Sequence, residues 1–195
     1  MGDSGMCGSM RLFTGEFVNW DNDSSFCGIF QAKFQVQGGG ASAMTAPNGR
    51  FILCIPDQDI TLVDITPPTA PSECTTGSYS VPAIAVANKA VITAGGAWSG
   101  RDFVDGRETI DPSKAQVFVH VNGTPRPVSI SAAFASSEAV MTTTWGPGDT
   151  GHEVFFRDVD PAGGSTTLSV SGGAVGTGSI PLAADKITEV SVIAN

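Results

Sequence analysis

Apolar residues recur at every second position through most of this chain, and turn residues interrupt them roughly every ten residues. Phe30, Ala32, Phe34 and Val36 alternate with Gln31, Lys33, Gln35 and Gln37, the pattern of a half-buried strand. The same period runs through Ile60, Leu62 and on to Ile65, and through Val117, Val119 and Val121, which alternate with Phe118, His120 and Asn122. It returns at Leu168 and Val170, and at Val190, Val192 and Ala194. A helix cannot gather such residues on one face, because its period is 3.6 rather than 2. The unbroken run Phe51-Ile52-Leu53-Cys54-Ile55 predicts a strand covered on both faces. Asn48-Gly49, Pro67-Pro68, Gly95-Gly96, Asn122-Gly123, Gly146-Pro147-Gly148, Gly163-Gly164 and Gly172-Gly173 mark the turns. Short strands at this spacing predict an all-β chain, a sandwich or a barrel. The best helical candidate, Ser131 to Val140, lacks an apolar stripe and reads equally as a strand with its loop.

Of the 195 residues, 41% are hydrophobic and 15% charged, the opposite of the balance that keeps chains disordered. Ten Lys and Arg face 19 Asp and Glu, for a net charge of −9. Nucleic-acid binding depends on basic groups neutralising phosphates, so this chain is not expected to bind nucleic acid. A polybasic membrane-surface role is excluded on the same ground. No apolar stretch approaches the length of a transmembrane segment.

The alternation lapses between Gly95 and Asp111, a stretch rich in charge. That predicts a flexible lead at 1–13, a β-sandwich at 14–98, a linker at 99–111 and a second β-sandwich at 112–195. All four cysteines, Cys7, Cys27, Cys54 and Cys74, fall in the first half. Four cysteines allow three connectivities. No Cys-x-x-Cys pair exists and histidine is nearly absent, so a zinc site is not expected. Two disulfides in an exported protein are the favoured expectation, with Cys54–Cys74 and Cys7–Cys27 as the pairs; buried free thiols are the alternative. Met1-Gly2-Asp3 has neither the basic start nor the apolar core of a signal peptide. An extracytoplasmic location (secreted, periplasmic or cell surface) therefore implies a leader already removed.

One ordered series goes beyond composition. Thr14-Gly15-Glu16-Phe17-Val18 is followed by Ile29 to Val36, by Thr45-x-x-Asn48-Gly49-Arg50-Phe51-x-Leu53-x-Ile55-Pro56, and by Ile60-x-Leu62-x-Asp64-Ile65. Over residues 14–94 this resembles the carboxypeptidase regulatory-like domain, a transthyretin-like β-sandwich. Asn48-Gly49 suits a tight hairpin turn with positive φ, after which Phe51 would enter the core. Gln31-Ala32 stands where that family has Gly-Ala. Residues 112–195 resemble a diverged second copy, transthyretin-like or immunoglobulin-like. Its signs are Gly123-x-Pro125-x-Pro127-Val128-x-Ile130, then Gly151-x-x-Val154-Phe155-Phe156-x-Asp158-Val159-x-Pro161, then Gly178-x-Ile180-Pro181-Leu182. The resemblance implies two tandem sandwiches without catalysis of their own.

The residues point the same way. His120 and His152 are the two histidines, and no His-x-x-Glu metal motif or Gly-x-Ser-x-Gly elbow is present. His120 alternates with core positions and is expected to face solvent; His152 reads as a surface loop residue. No cofactor is expected. Asp21, Asn22 and Asp23 cluster oxygen atoms suited to Ca²⁺, but the remaining ligands of a calcium loop are missing. Trp20, Trp98 and Trp145 lie in or beside loops, where aromatic rings can stack on sugars. A Lys–Asn crosslink between Lys114 and Asn195, assisted by Glu138 or Glu153, would need a desolvated lysine, and Lys114 is expected to be exposed. The function expected is a non-enzymatic structural or interaction module in adhesion, surface assembly or scaffolding, with a protein partner or self-assembly. A carbohydrate-binding module using the loop tryptophans for a glycan is one alternative. An accessory domain of an exported enzyme is the other.

Overall fold

The computed structural model describes residues 7–19, 27–68, 82–88, 98–100, 111–142, 145–171 and 178–194. Among them every regular element is a strand. The first eight are β1 (Arg11–Asn19), β2 (Cys27–Gly28), β3 (Lys33–Val36), β4 (Ser42–Met44), β5 (Arg50–Ile55), β6 (Ile60–Thr66), β7 (Ala83–Asn88) and β8 (Trp98–Gly100). The next nine are β9 (Ala115–Gly123), β10 (Arg126–Ile130), β11 (Ser136–Val140), β12 (Trp145–Pro147), β13 (Thr150–Gly151), β14 (Glu153–Val159), β15 (Ser165–Val170), β16 (Gly178–Pro181) and β17 (Ile187–Ala194). The chain divides into two compact units, Met1–Ala83 with Ala87–Thr109, and Ile84–Val86 with Ile110–Asn195.

In the first unit, β1 pairs with β5 and β2 in antiparallel fashion and with β8 in parallel, while β3 lies between β4 and β6. Ser99 and Gly100, at the start of the expected linker, pair with Val18 and Asn19 in β8. The core is aromatic. Phe17 of β1 and Phe51 of β5 meet Phe34 of β3, and Phe13 of β1 meets Phe51. Phe51 stacks on Phe34 at 3.9 Å, touches Phe13 edge-on at 5.2 Å, and Phe17 meets Phe34 edge-on at 5.8 Å. Offset stacks and edge contacts align the negative ring faces with positive ring edges, which adds to the apolar burial.

The turn before Phe51 has the positive φ its sequence predicts but closes no hairpin, because β4 pairs with β3 and β5 with β1, in different sheets. Gly49 has φ 77°, and a Cβ there would lie 2.2 Å from the Phe17 carbonyl oxygen. Gly28 packs against the same turn, where a Cβ would overlap the Asn48 backbone at 2.1 Å. Two glycines thus let two backbones touch where no side chain fits. Thr45 closes the neighbouring loop. Its buried hydroxyl donates to the Ile29 carbonyl and accepts from the Ala32 amide at 2.9 Å.

Three local expectations are corrected in this unit. The run Phe51–Ile55 is covered on one face only, because Ile52 is 55% exposed while Phe51, Leu53 and Ile55 are buried. In β6 the inward set is Thr61, Val63 and Ile65, with Ile60 outside, so the phase is one residue off the expected one. Phe30 lies outside β3 and is exposed; the chain turns at Gln31, whose φ is 63°.

In the second unit, one sheet runs β12-β11-β14-β9-β17 and continues into the Ile84–Val86 part of β7, and the other runs β13-β10-β15-β16. Val117, Val119, Val121, Val154, Phe156, Val190 and Val192 on the first and Val128, Leu168, Val170 and Ile180 on the second are buried, in a sandwich-like arrangement. The segment Ser131 to Val140 ends in strand β11, not in a helix. Pairing of β9 with β17 is parallel, Val117 to Val121 matching Thr188 to Val192. Gln116 and Phe118 are buried as well as their valine neighbours, and so are Ile187 and Glu189.

Candidate functional site

The cysteines take a different pairing from the one favoured by their spacing. Cys7 and Cys54 form a disulfide, with Cα atoms 5.4 Å apart, so neither Cys54–Cys74 nor Cys7–Cys27 forms. Sheet register decides this. Leu12 is the partner of Cys54 across the β1–β5 ladder, and a turn in which the Met10 amide donates to the Cys7 carbonyl folds the chain back over that ladder. Cys74 lies outside the described residues. Beside the bridge, Arg11 is 3.9 Å from Asp57; burial lowers the guanidinium pKa and the Asp57 charge opposes that effect. Arg50 pairs with Glu16 on the exposed face of the same ladder.

In the second unit the polar side chains gather on one face of the β11-β14-β9-β17 sheet. Glu153 is the direct partner of His120, and Phe118 that of both Phe155 and Glu189. His120 Nδ1 lies 3.5 Å from Glu153 Oε1, with the two side chains 15% and 13% exposed. His120 is therefore enclosed, which corrects the expectation that it faces solvent. Phe118 stands edge-on to the imidazole at 4.6 Å, and Trp145 lies 6.1 Å from Phe118. Glu189 is 1% exposed, and its Oε2 has no hydrogen-bond partner among the described residues. Desolvation pushes its pKa up to about 8. At neutral pH it is therefore mostly a neutral acid. Alternation along β17 assigns it to the solvent side. No local signal distinguishes it.

A second polar cluster fixes an irregularity. The β9–β14 register shifts between Phe156 and Val159, and Asp158 takes φ 50°. Buried Gln116 holds it there, accepting from the Asp158 amide at 2.9 Å and donating to its carboxylate at 3.2 Å. The Asp111 amide also donates to Asp158, at 3.3 Å. Hydrogen bonds from Ser113 lower the pKa of Asp111. Lys114 stands 4.0 Å from Asp160 and is 36% exposed, so it lacks the desolvation a Lys–Asn crosslink needs.

Of the loop tryptophans, Trp145 opens β12, half-buried against Phe118, and the backbone of Trp98 opens β8. Trp20, Asp21, Asn22 and Asp23 lie outside the described residues. His152 is exposed between β13 and β14. Among the described residues, no group of three His, Cys, Asp or Glu side chains is placed to hold a metal ion. Nor is any helix there long and apolar enough to cross a membrane.

The sequence matches no protein-family model and no curated protein. Among solved structures, the chain is similar to the Bacillus anthracis TIE protein, at 14% identity and TM-score 0.32, over 95% of this chain and 34% of that one. It thus spans about a third of that protein's length. It is also similar to the shaft pilin SpaA of Lactobacillus rhamnosus GG, at 7% identity and TM-score 0.33, over 96% and 98% of the two chains.

Proposed function

We propose that this protein is a non-enzymatic, extracytoplasmic structural or interaction module of tandem β-sandwiches, the first of them transthyretin-like and akin to carboxypeptidase regulatory-like domains. The observation that carries the reading is the Cys7–Cys54 bridge, which joins residues 47 apart in sequence. Disulfides of this kind persist in oxidising compartments and are rare in the cytosol. The use of charge supports it further. His120 is engaged by Glu153, Lys114 by Asp160 and Arg50 by Glu16, so these groups serve the fold. The Gly49 turn and the burial of Phe51 support the transthyretin-like assignment of the first sandwich.

The test joins compartment and association. Protein recovered from an oxidising and from a reducing compartment is titrated for thiols after denaturation, and its mass in solution is followed by sedimentation across a concentration series. Absence of free thiols, together with reversible self-association or capture of a protein partner, supports the module. Four reactive thiols in the native product would overturn the extracytoplasmic assignment. Trp145, half-buried beside Phe118, keeps a glycan-binding reading open. Glycan-array binding lost on Trp145→Ala would favour that reading over the structural one.

A further inference from the structure

The chain has two Asn-Gly steps, Asn48-Gly49 and Asn122-Gly123, and the fold treats them in opposite ways. An asparagine followed by glycine is open to a self-reaction. The backbone nitrogen of the glycine attacks the side-chain amide carbon, a C–N bond forms, and the amide nitrogen leaves as ammonia. Water then opens the five-membered imide on either side, giving aspartate or isoaspartate. The reaction needs that backbone nitrogen free and the local chain able to bend toward the side chain. Glycine permits both, because it has no Cβ to block the approach.

At Asn48-Gly49 neither condition is met. The Gly49 amide already donates to the Ala46 carbonyl at 2.8 Å. Asn48 Oδ1 accepts from the Arg50 amide at 3.1 Å, which fixes the side chain over the turn. Gly49 itself is buried, its Cα packed against Gly28 and the Phe17 carbonyl. Any rotation toward the imide would break two hydrogen bonds and push backbone into backbone.

Asn122-Gly123 instead ends a strand that is paired there on one side only, to β17. Asn122, Gly123 and Thr124 are all exposed at the end of β9. The Gln116 amide donates toward β17, to the Lys186 carbonyl, and the Val121 amide toward the other side, to the His152 carbonyl. Strand alternation puts the Gly123 amide on the side of Val121. There β14 has already ended, since its first residue, Glu153, faces His120. Gly123 also holds φ 107°, a conformation open to glycine and costly for other residues.

We infer that Asn122 is a site of spontaneous deamidation in the folded protein, while Asn48, with the same dipeptide, is protected by its turn. Each event adds one negative charge to a chain already at −9. The isoaspartate product also inserts an extra main-chain carbon where Asn122 and Gly123 pair with Ile193 and Ala194 of β17. The modification thus falls on the last rungs of the parallel ladder in the second unit.

The test uses the whole protein, held native in mildly alkaline buffer, digested under acidic conditions and mapped by mass spectrometry with an isoaspartate-specific methylation assay. The peptide carrying Asn122 is expected to convert to a mixture of aspartate and isoaspartate. The peptide carrying Asn48 should convert on the order of tenfold more slowly or less, because it reacts only from a locally opened state. After denaturation the two rates should come together. Asn122→Gln should abolish the isoaspartate signal of that peptide in the native protein while leaving the melting curve unchanged. An Asn122 peptide that keeps its amide in the native state, or an Asn48 peptide that reacts as fast there, would overturn the inference.

Discussion

Glu189→Gln removes a single ionisable group from the interior of the second unit. In the folded state the carboxyl is fully enclosed and desolvation raises its pKa from 4.5 to about 8. Its unfolded value stays near 4.5, so the folded protein binds the proton more tightly than the unfolded chain between those limits. Stability attributable to this group is complete below pH 4.5 and is lost as pH rises through about 8. Each unit of displacement is worth about 1.4 kcal/mol, so the loss approaches about 5 kcal/mol by pH 8. That is a large fraction of the whole stability of an ordinary domain. Glutamine keeps the shape and cannot ionise, although its amide hydrogens then need partners in the same pocket, at a cost of about 1–3 kcal/mol that does not vary with pH. The readout is therefore the slope. Denaturant unfolding of both proteins is measured from about pH 5 to pH 8, and the stability of the variant minus that of the parent is plotted against pH. Ionisable groups common to both proteins drop out of the difference to first order. The difference should climb toward the variant by about 1.4 kcal/mol per pH unit. Parallel profiles for the two proteins would refute the burial of an uncompensated acid at this position.

Phe51→Ala removes the ring stacked on Phe34 and edge-on to Phe13 and is expected to cost about 3–5 kcal/mol. An unchanged melting temperature would show that Phe51 is not in the core. Gly49→Ala should cost more than about 2 kcal/mol, because strain at positive φ is joined by a collision with the Phe17 carbonyl. Gly38→Ala, also at positive φ but with open space around it, should cost only about 1 kcal/mol. Equal losses from the two variants would remove the close approach as a cause. Cys7→Ser with Cys54→Ser opens a loop spanning 47 residues, for an expected loss of about 4 kcal/mol. Non-reducing peptide mapping of the parent should find Cys7 joined to Cys54, and Cys27 to Cys74 as the remaining pair. A Cys54–Cys74 peptide would contradict the register of β1 against β5.

Local sequence determined the elements whose causes are local. The period of two fixed strands at Lys33–Val36, Ala115–Gly123 and Ile187–Ala194, since alternation alone decides which side chains share a face. Asn48-Gly49 marked the turn before β5, because positive φ is nearly free for glycine, and Phe51 followed it into the core. The excess of acid and the scarcity of histidine bounded the chemistry before any contact was known. Tertiary structure decided what depends on neighbours distant in sequence. Ile52 is exposed and Leu53 buried because β5 lies in a ladder with one covered face, whereas an apolar run reads the same whether one face is covered or two. Glu189 and Phe118 are enclosed although alternation along each strand reads them as outward, and they meet through the pairing of β17 with β9, segments some seventy residues apart that neither encodes alone. The bridge from Cys7 goes to Cys54 rather than Cys27 for the same reason. A disulfide joins cysteines that the folded register brings within bonding distance, and separation along the chain does not measure that distance.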